Sequence, residues 1–385
     1  MALSRLNIII MSMCTGLIVA NIYYSQPLLV LIAEEFHVSD SNAGQVTFLT
    51  QLGYALGLFF CVPLGDKLER KRQIIIMAGC SLLALILAAK APNIFILKIS
   101  GLLIGFTSVI PQLILPLAAH LSDPSKRGKV VGSIMSGLLV GILLSRTLSG
   151  IVGQHFGWRA MFWIAAGIVF LLMLLMWFSF PQSRPDFKGS YGALMRSLFT
   201  LVKQQPLLRE AALINACVFA SFGLFWVTLV FLLSGPPFNY GSDVIGLMGL
   251  AAAAGALGAP LIGRIADKKN PRIAIGYGLV LVLASFLLFF LFQSNIIGII
   301  AGIVLLDLGI QGVHVSNQTR IYSILPEARN RMNTIFMTVS FIGTAAGSGI
   351  GLWVWGVAQW SGACIAGGAL VLMAILIYAT TYKKQ

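Results

Sequence analysis

Twelve apolar runs of roughly 20 residues each make up most of this chain and leave only short polar connections between them. A helix needs about 20 apolar residues to cross the ~30 Å hydrocarbon core of a bilayer. Lipid offers no partners to the backbone, and the runs lack the alternating period of barrel strands, so we predict an all-α membrane protein of twelve transmembrane helices. The runs lie at 7–32, 41–64, 73–90, 93–119, 129–153, 159–180, 210–234, 243–265, 271–292, 295–319, 331–355 and 359–381.

Basic residues predict the orientation. The net charge is +14, yet the basic residues form short clusters between apolar runs rather than one basic face with interleaved aromatics, so nucleic acid is not an expected partner. Clusters such as Lys67–Arg72 alternate with loops such as Glu34–Asp40, which is acidic. Because cytoplasmic loops are enriched in Lys and Arg, both termini are predicted to be cytoplasmic.

Several chemistries find no support in the sequence. The five cysteines are scattered through apolar runs without metal-ligand spacing, so no metal or cofactor is expected. No glycine-rich phosphate loop ending in Lys-Ser/Thr is present, which argues against an ATP-driven pump. No Ser/His/Asp set or pair of intramembrane carboxylates points to an enzyme.

The chain reads as two related halves. Asp66 with its following lysine returns at Asp267, and Pro124 returns at Pro326, with nearly constant spacing. The polar interval at 181–209, near the middle of the chain, contains a segment, 191–202, predicted to lie as an amphipathic helix on the membrane surface. We therefore predict two six-helix bundles, at residues 1–180 and 210–385, joined by a cytoplasmic linker at 181–209.

The loop after the second run carries a family resemblance. Residues 65–72 read Gly-Asp-Lys-Leu-Glu-Arg-Lys-Arg, and residues 263–268 read Gly-Arg-Ile-Ala-Asp-Lys. This pair resembles the loop motif of the major facilitator superfamily, although Val62 and Glu69 stand where that family usually has glycine. The resemblance implies a monomeric transporter in a bacterial inner (plasma) membrane, whose two halves are latched at the cytoplasmic side. The residues that it assigns to this cytoplasmic gate are Asp66, Lys67, Arg70, Gly263, Arg264, Asp267 and Lys268.

Two further segments, 21–27 and 137–150, look most like the bacterial drug-proton antiporter and arabinose-efflux-type members of that superfamily. The four-residue step from Gly137 to Gly141 predicts close helix packing. Antiporters of the superfamily carry a proline in this helix, whereas the present chain has none and has Arg146 in the same stretch.

One apolar run contains a buried acid on a polar stripe. Asp307 lies about twelve residues into the tenth run, where an ionised carboxylate costs roughly 3 kcal/mol unless it is compensated. Gln311, His314 and Gln318 follow at helical spacing, so the four side chains share one face. Arg146 is the predicted partner of Asp307, either as a proton-coupled switch or as a permanent structural pair. His314 is predicted either to relay protons or to hydrogen-bond within the stripe.

The resemblance implies a central cavity lined by the first, fourth, seventh and tenth helices. Aromatic residues near Trp226 predict partly apolar walls suited to an amphipathic substrate. The candidate cavity residues are Asn21, Tyr24, Gln26, Gln112, Asn215, Trp226, Gln311 and Gln318.

Together these observations predict a secondary transporter that works by alternating access, most simply a proton-coupled exporter (antiporter) of small amphipathic molecules or drugs. A proton-coupled importer of sugars or other small metabolites is the alternative. A channel is the second class, and it would call for a pore-lining polar ring rather than a mobile latch. The expected partners are a small-molecule substrate, protons and the lipid bilayer.

Overall fold

A computed structural model describes residues 4–123, 126–183, 189–257, 271–325 and 328–382. These residues are helical almost throughout, and they contain no strand. The second copy of the loop motif, at 263–268, lies outside the described residues. The helices are α1 (Arg5–Val19), α2 (Leu29–Phe36), α3 (Asp40–Phe60), α4 (Arg70–Ala89), α5 (Ile94–Thr107), α6 (Pro111–Leu121), α7 (Arg127–Phe156), α8 (Trp158–Ser179), α9 (Tyr191–Gln204), α10 (Pro206–Ser234), α11 (Ser242–Leu257), α12 (Pro271–Leu291), α13 (Ile296–Tyr322) and α14 (Arg329–Tyr382).

The helix lengths agree with the predicted crossings. Among the described residues, ten helical stretches are long and apolar enough to cross a membrane, and the shorter apolar helix Ser242–Gly255 adds another. The range α14 contains two helices that meet at Gln359, where φ is 49° and the chain changes direction. Beyond this point Trp360 donates to the carbonyl of Phe289 and Tyr378 donates to the carbonyl of Arg272, so the second part of α14 runs antiparallel to α12. The structure is therefore consistent with twelve crossings.

Two of the spans are broken near their middle. The first is interrupted between α1 and α2 by short 3-10 turns at Ala20–Ile22 and Gln26–Leu28. The fourth breaks between α5 and α6 just before Pro111. A break frees backbone groups, which is tolerated in a membrane only where protein or water satisfies them. The hydroxyl of Ser149 does so in the first span by donating to the carbonyl of Tyr24 at 2.5 Å.

Small residues allow α1 and α7 to touch through their backbones. A Cβ added to Gly137 would stand 2.9 Å from the carbonyl carbon of Ser12. One added to Gly141 would stand 2.5 Å from the Cα of Gly16. The four-residue step that the sequence shows therefore lies at a helix–helix contact, as small-residue interfaces require.

The linker contains a helix that packs against its neighbours through one face. Leu194, Leu198 and Leu201 of α9 are buried, while Phe199 on its other face is exposed. Leu198 and Leu201 belong to a core cluster with Met332 and other residues near the starts of α10 and α14. The helix is amphipathic, as the sequence predicts for residues 191–202. The boundaries of the two predicted bundles remain a prediction.

The two ends of the molecule differ in how the halves meet. We call the end that carries Arg70 and Arg329 the basic end. At the opposite end the halves are closed, because the amide of Ser242 in α11 donates to Gln154 Oε1 in α7 at 3.0 Å. Near it, Thr147 donates to the carbonyl of Gly246 at 3.1 Å.

Candidate functional site

A cavity of about 450 Å³ lies between the two halves. It extends from Asp307 to Arg329 and Asn330, which are exposed at the start of α14. The cavity is therefore open at the basic end and closed at the opposite end. With the orientation that the basic residues predict, this is an inward-facing state.

The polar stripe of α13 faces this cavity. Asp307 is the twelfth residue of α13, and Gln311, His314 and Gln318 line the same wall. Near the mouth of the cavity, Gln318 Nε2 donates to Asn333 Oδ1 at 3.1 Å. The helical period thus places these four polar side chains on one face of α13, and this face lines the cavity, where they can contact water or a substrate.

Asp307 lies deep in the cavity wall. The residue is only 6% exposed. Its Oδ2 atom is buried and has no hydrogen-bond partner among the described residues. A carboxylate in this position is costly when ionised, and it attracts a proton or a cationic group.

Arg146 of α7 also lines the cavity, and it is 2% exposed. Its Nε donates to Gln26 Oε1 at 2.7 Å. The guanidinium carbon lies 4.1 Å from the ring centre of Trp226 and 4.6 Å from that of Tyr23, so two aromatic faces stabilise the cation. Its Nη2 atom has no hydrogen-bond partner among the described residues.

The predicted Arg146–Asp307 ion pair is not formed in this state. The described residues contain no ion pair within 4.0 Å for either side chain. The reason is that Gln26, Tyr23 and Trp226 hold the guanidinium on its own side of the cavity. Tyr23 both contacts the guanidinium and lines the cavity.

His314 is held by neighbours on both faces. Asn215 Nδ2 lies 3.2 Å from its Nδ1 and 2.6 Å from the hydroxyl of Ser340. The amide nitrogen can only donate, so Nδ1 accepts and the proton of a neutral ring sits on Nε2. The ring also packs between Phe219 and Phe336, at 5.2 and 5.3 Å between centres. The hydrogen-bond partner of His314 thus lies on α10 and not within the polar stripe, and the proton relay stays a prediction.

Several candidate cavity residues lie behind the wall rather than on it. Asn21 and Tyr24 are buried in the first half, because the broken first span turns them away from the cavity. Gln26 and Trp226 hold Arg146, and Asn215 holds His314. Of the candidates, Gln112, Gln311 and Gln318 line the cavity directly.

Other spans contribute more of the wall than the sequence indicates. Tyr54 of α3, Leu139 of α7 and Phe341 of α14 line the cavity, so the second, fifth and eleventh spans take part. Phe219 and Phe222 of α10 add aromatic surface. The walls are mainly apolar, with the polar stripe of α13 on one side.

The first copy of the loop motif forms a local network. Asp66 pairs with Arg70 at 3.1 Å, and Arg70 Nε donates to the carbonyl of Gly65 at 3.0 Å. Glu69 caps α4 by accepting from the amides of Lys71 and Arg72, and it also accepts from the amide of Ser183 at 3.1 Å. Lys67 is exposed. The second-copy gate residues Gly263, Arg264, Asp267 and Lys268 lie outside the described residues.

A buried charge cluster in the second half has no counterpart in the sequence predictions. Glu210 accepts from Arg272 Nη1 at 3.3 Å and from Arg320 Nη1 at 3.2 Å. All three side chains are less than a tenth exposed. The three residues belong to separate helices, so no local pattern reveals the cluster, and only the acid at the start of an apolar run hints at it. In the part of the chain that the structure describes, no group of His, Cys, Asp and Glu residues could hold a metal ion.

Comparison with known proteins adds the family. The model of the Major Facilitator Superfamily matches residues 9–348. The chain belongs to this superfamily. It is a multi-pass membrane transporter of the secondary type, and not an enzyme.

Relatives and solved structures agree with this assignment. The chain is 44% identical to a putative uncharacterized transporter, YgaY, of Escherichia coli K12, over 100% of this chain and 97% of that protein. It is 27% identical to a probable sugar efflux transporter of Helicobacter pylori P12, over 82% of this chain and 80% of that protein.

Two solved transporters share the fold at low identity. The nucleoside transporter NupG has a TM-score of 0.76 at 14% identity and covers 98% of this chain and 99% of its own. A bacterial homolog of the human lysosomal transporter Spinster, in an inward-facing and occupied conformation, has a TM-score of 0.77 at 15% identity. It covers 97% of this chain and 94% of its own.

Proposed function

We propose that this transporter is a proton-coupled exporter of small amphipathic molecules, acting as a monomer in a bacterial inner membrane. The observation that carries the proposal is Asp307, whose buried carboxylate oxygen has no partner among the described residues in a cavity open at the basic end. Such a group holds a proton or a substrate, but not both. The apolar walls support an amphipathic substrate. The relatives named as sugar efflux transporters support the outward direction.

The coupling follows from competition for one site. A substrate that enters from the basic end displaces the proton from Asp307. After the cavity opens at the other end, a proton displaces the substrate. The carboxyl of Asp307 is then neutral, which lowers the free-energy cost of the return step, because no uncompensated carboxylate is buried when the cavity closes. Arg146 disfavours a second cation near Asp307, which keeps the exchange exclusive.

Everted membrane vesicles with an acidified interior test the proposal. A panel of cationic drugs, sugars and metabolites is added while a pH-sensitive dye reports the gradient. We expect at least one compound to collapse the gradient in wild-type vesicles but not in Asp307→Asn vesicles. Asp40→Asn is the matched control, because it removes an acid at the start of α3, outside the cavity.

Each other outcome is informative. Equal collapse in wild-type and Asp307→Asn vesicles would refute the role of Asp307. Uptake into right-side-out vesicles driven by an inward proton gradient, with no collapse in everted ones, would establish the importer of sugars or other metabolites instead.

A further inference from the structure

We infer that the cavity binds a zwitterion, a small molecule with an amine, a carboxylate and an apolar group, of the kind that hydrophobic amino acids represent. The inference rests on the proposed function and names its substrate class. It starts from two opposite charges that share one cavity without pairing.

Both charges have unused bonding capacity. Arg146 Nη2 and Asp307 Oδ2 are buried, and neither has a hydrogen-bond partner among the described residues. Buried polar groups in native proteins are nearly always satisfied, by protein, by water or by a ligand. Two unsatisfied groups of opposite charge in one cavity therefore indicate a ligand that offers both an anionic and a cationic group.

Both side chains begin at residues that pack against helix α11, at two separate positions. A Cβ added to Gly249 would stand 3.2 Å from Arg146 Cβ, and one added to Gly255 would stand 3.0 Å from Asp307 Cβ. Six residues of helix separate these two contacts, a rise of ~9 Å. Both side chains line the cavity, so a ligand amine and carboxylate in it can each make one charge-assisted hydrogen bond, to Asp307 and to Arg146.

The same arrangement disfavours other ligand classes. A purely cationic drug at Asp307 would be repelled by the nearby guanidinium, and a purely anionic one at Arg146 would be repelled by the carboxylate. The hydroxyls of a neutral sugar can hydrogen-bond to both groups, but they neutralise neither charge. A zwitterion compensates both charges at once when Asp307 is ionised.

The rest of the cavity suits an apolar side chain. Phe219, Phe222 and Phe341 supply aromatic surface, and Leu139 and Met337 supply aliphatic surface. A volume of about 450 Å³ leaves room for a bulky group beside the two charges. The apolar part would lie toward the aromatic residues of α10 and α14, with the charged part toward Arg146 and Asp307.

Binding of matched compounds to the purified protein tests the inference. One set is phenylalanine, phenethylamine and hydrocinnamate, which share the phenyl group and differ only in their charges. A second set is leucine, isoamylamine and isocaproate. In at least one set, we expect the zwitterion to bind wild type at least tenfold more tightly than either singly charged partner, as titration calorimetry would measure it.

Substitutions then assign each charge. In Arg146→Gln the preference for phenylalanine over phenethylamine should disappear, while Arg146→Lys should keep part of it. In Asp307→Asn the preference over hydrocinnamate should disappear. Lys203→Gln removes a cation from α9, away from the cavity, and should leave every preference unchanged.

Two results would overturn the inference. The first is that no zwitterion binds wild type more tightly than both of its partners. The second is that folded Arg146→Gln keeps the wild-type preference. Binding needs no gradient, so the two proposals fail separately. A zwitterion that binds but never collapses the gradient contradicts proton-coupled export alone, and a drug or sugar that collapses it through Asp307 while no zwitterion binds contradicts the zwitterion alone.

Discussion

The contact between α1 and α7 leaves no room for a methyl group at Gly141. A Cβ added there would stand 2.5 Å from Gly16 Cα and closer still to the Gly16 carbonyl. Carbon atoms prefer a separation of about 3.5–4.0 Å, so Gly141→Ala must move the two helices apart by roughly 1 Å. A gap of that size forfeits about a quarter to a half of each contact along the interface. We expect a loss of about 3 kcal/mol, at the upper end of the range for overpacking.

Gly132 provides a matched control on the same helix. Nothing lies within 4 Å of a Cβ added at Gly132, so Gly132→Ala changes only the helix propensity, which favours alanine by about 1 kcal/mol. The assay is thermal unfolding of the purified protein in detergent, followed by loss of monodisperse protein. We expect the apparent Tm of Gly141→Ala to fall by about 5 °C or more, and that of Gly132→Ala to stay level or rise.

The reasoning is refuted if Gly141→Ala is as stable as Gly132→Ala. That result would mean that α1 and α7 separate freely, and that their close approach contributes no packing energy.

Two further predictions concern the ends of the molecule. Glu210→Gln leaves two buried arginines without their shared carboxylate, so we expect a loss of about 3 kcal/mol in the same unfolding assay, and an unchanged Tm would contradict the cluster. Gln154→Leu removes a hydrogen bond that closes the opposite end, worth about 1 kcal/mol, so the outward-open population should rise about fivefold. An impermeant maleimide should then label a cysteine placed at Gln311 faster in intact cells, in a background without the native cysteines, and an unchanged labelling rate would contradict this closure.

Sequence reasoning succeeded where the property is local. The cost of a charge in lipid and the helical period both follow from a few neighbouring residues, so the sequence alone was enough to place Asp307 and the three polar residues after it on one face. The loop network of Asp66 and Arg70 is local in the same sense, because its partners are four residues apart.

Sequence reasoning failed where the position of a side chain depends on how its helix is rotated or on which helix it packs against. Tyr23 lines the cavity while the neighbouring Tyr24 is buried behind it, and no period applies because both lie in the broken part of the first span. Arg146 is bonded to Gln26, 120 residues away in the chain, rather than to the most obvious acid. Both outcomes depend on how separate helices pack, and a single sequence does not specify this packing.

The two halves carry different charge networks at their basic ends, and we expect these networks to respond differently to ionic strength. Asp66 is 27% exposed beside Arg70, so dissolved salt reaches this pair, and at physiological concentration charges are screened over about 8 Å. The Glu210 cluster is sealed from solvent, and the positions that match Glu210 and Arg320 in the first half are Ile8 and Ala118, which carry no charge. Salt therefore weakens the Asp66–Arg70 pair more than the Glu210 cluster, so the two networks respond differently to the ionic strength at the basic end.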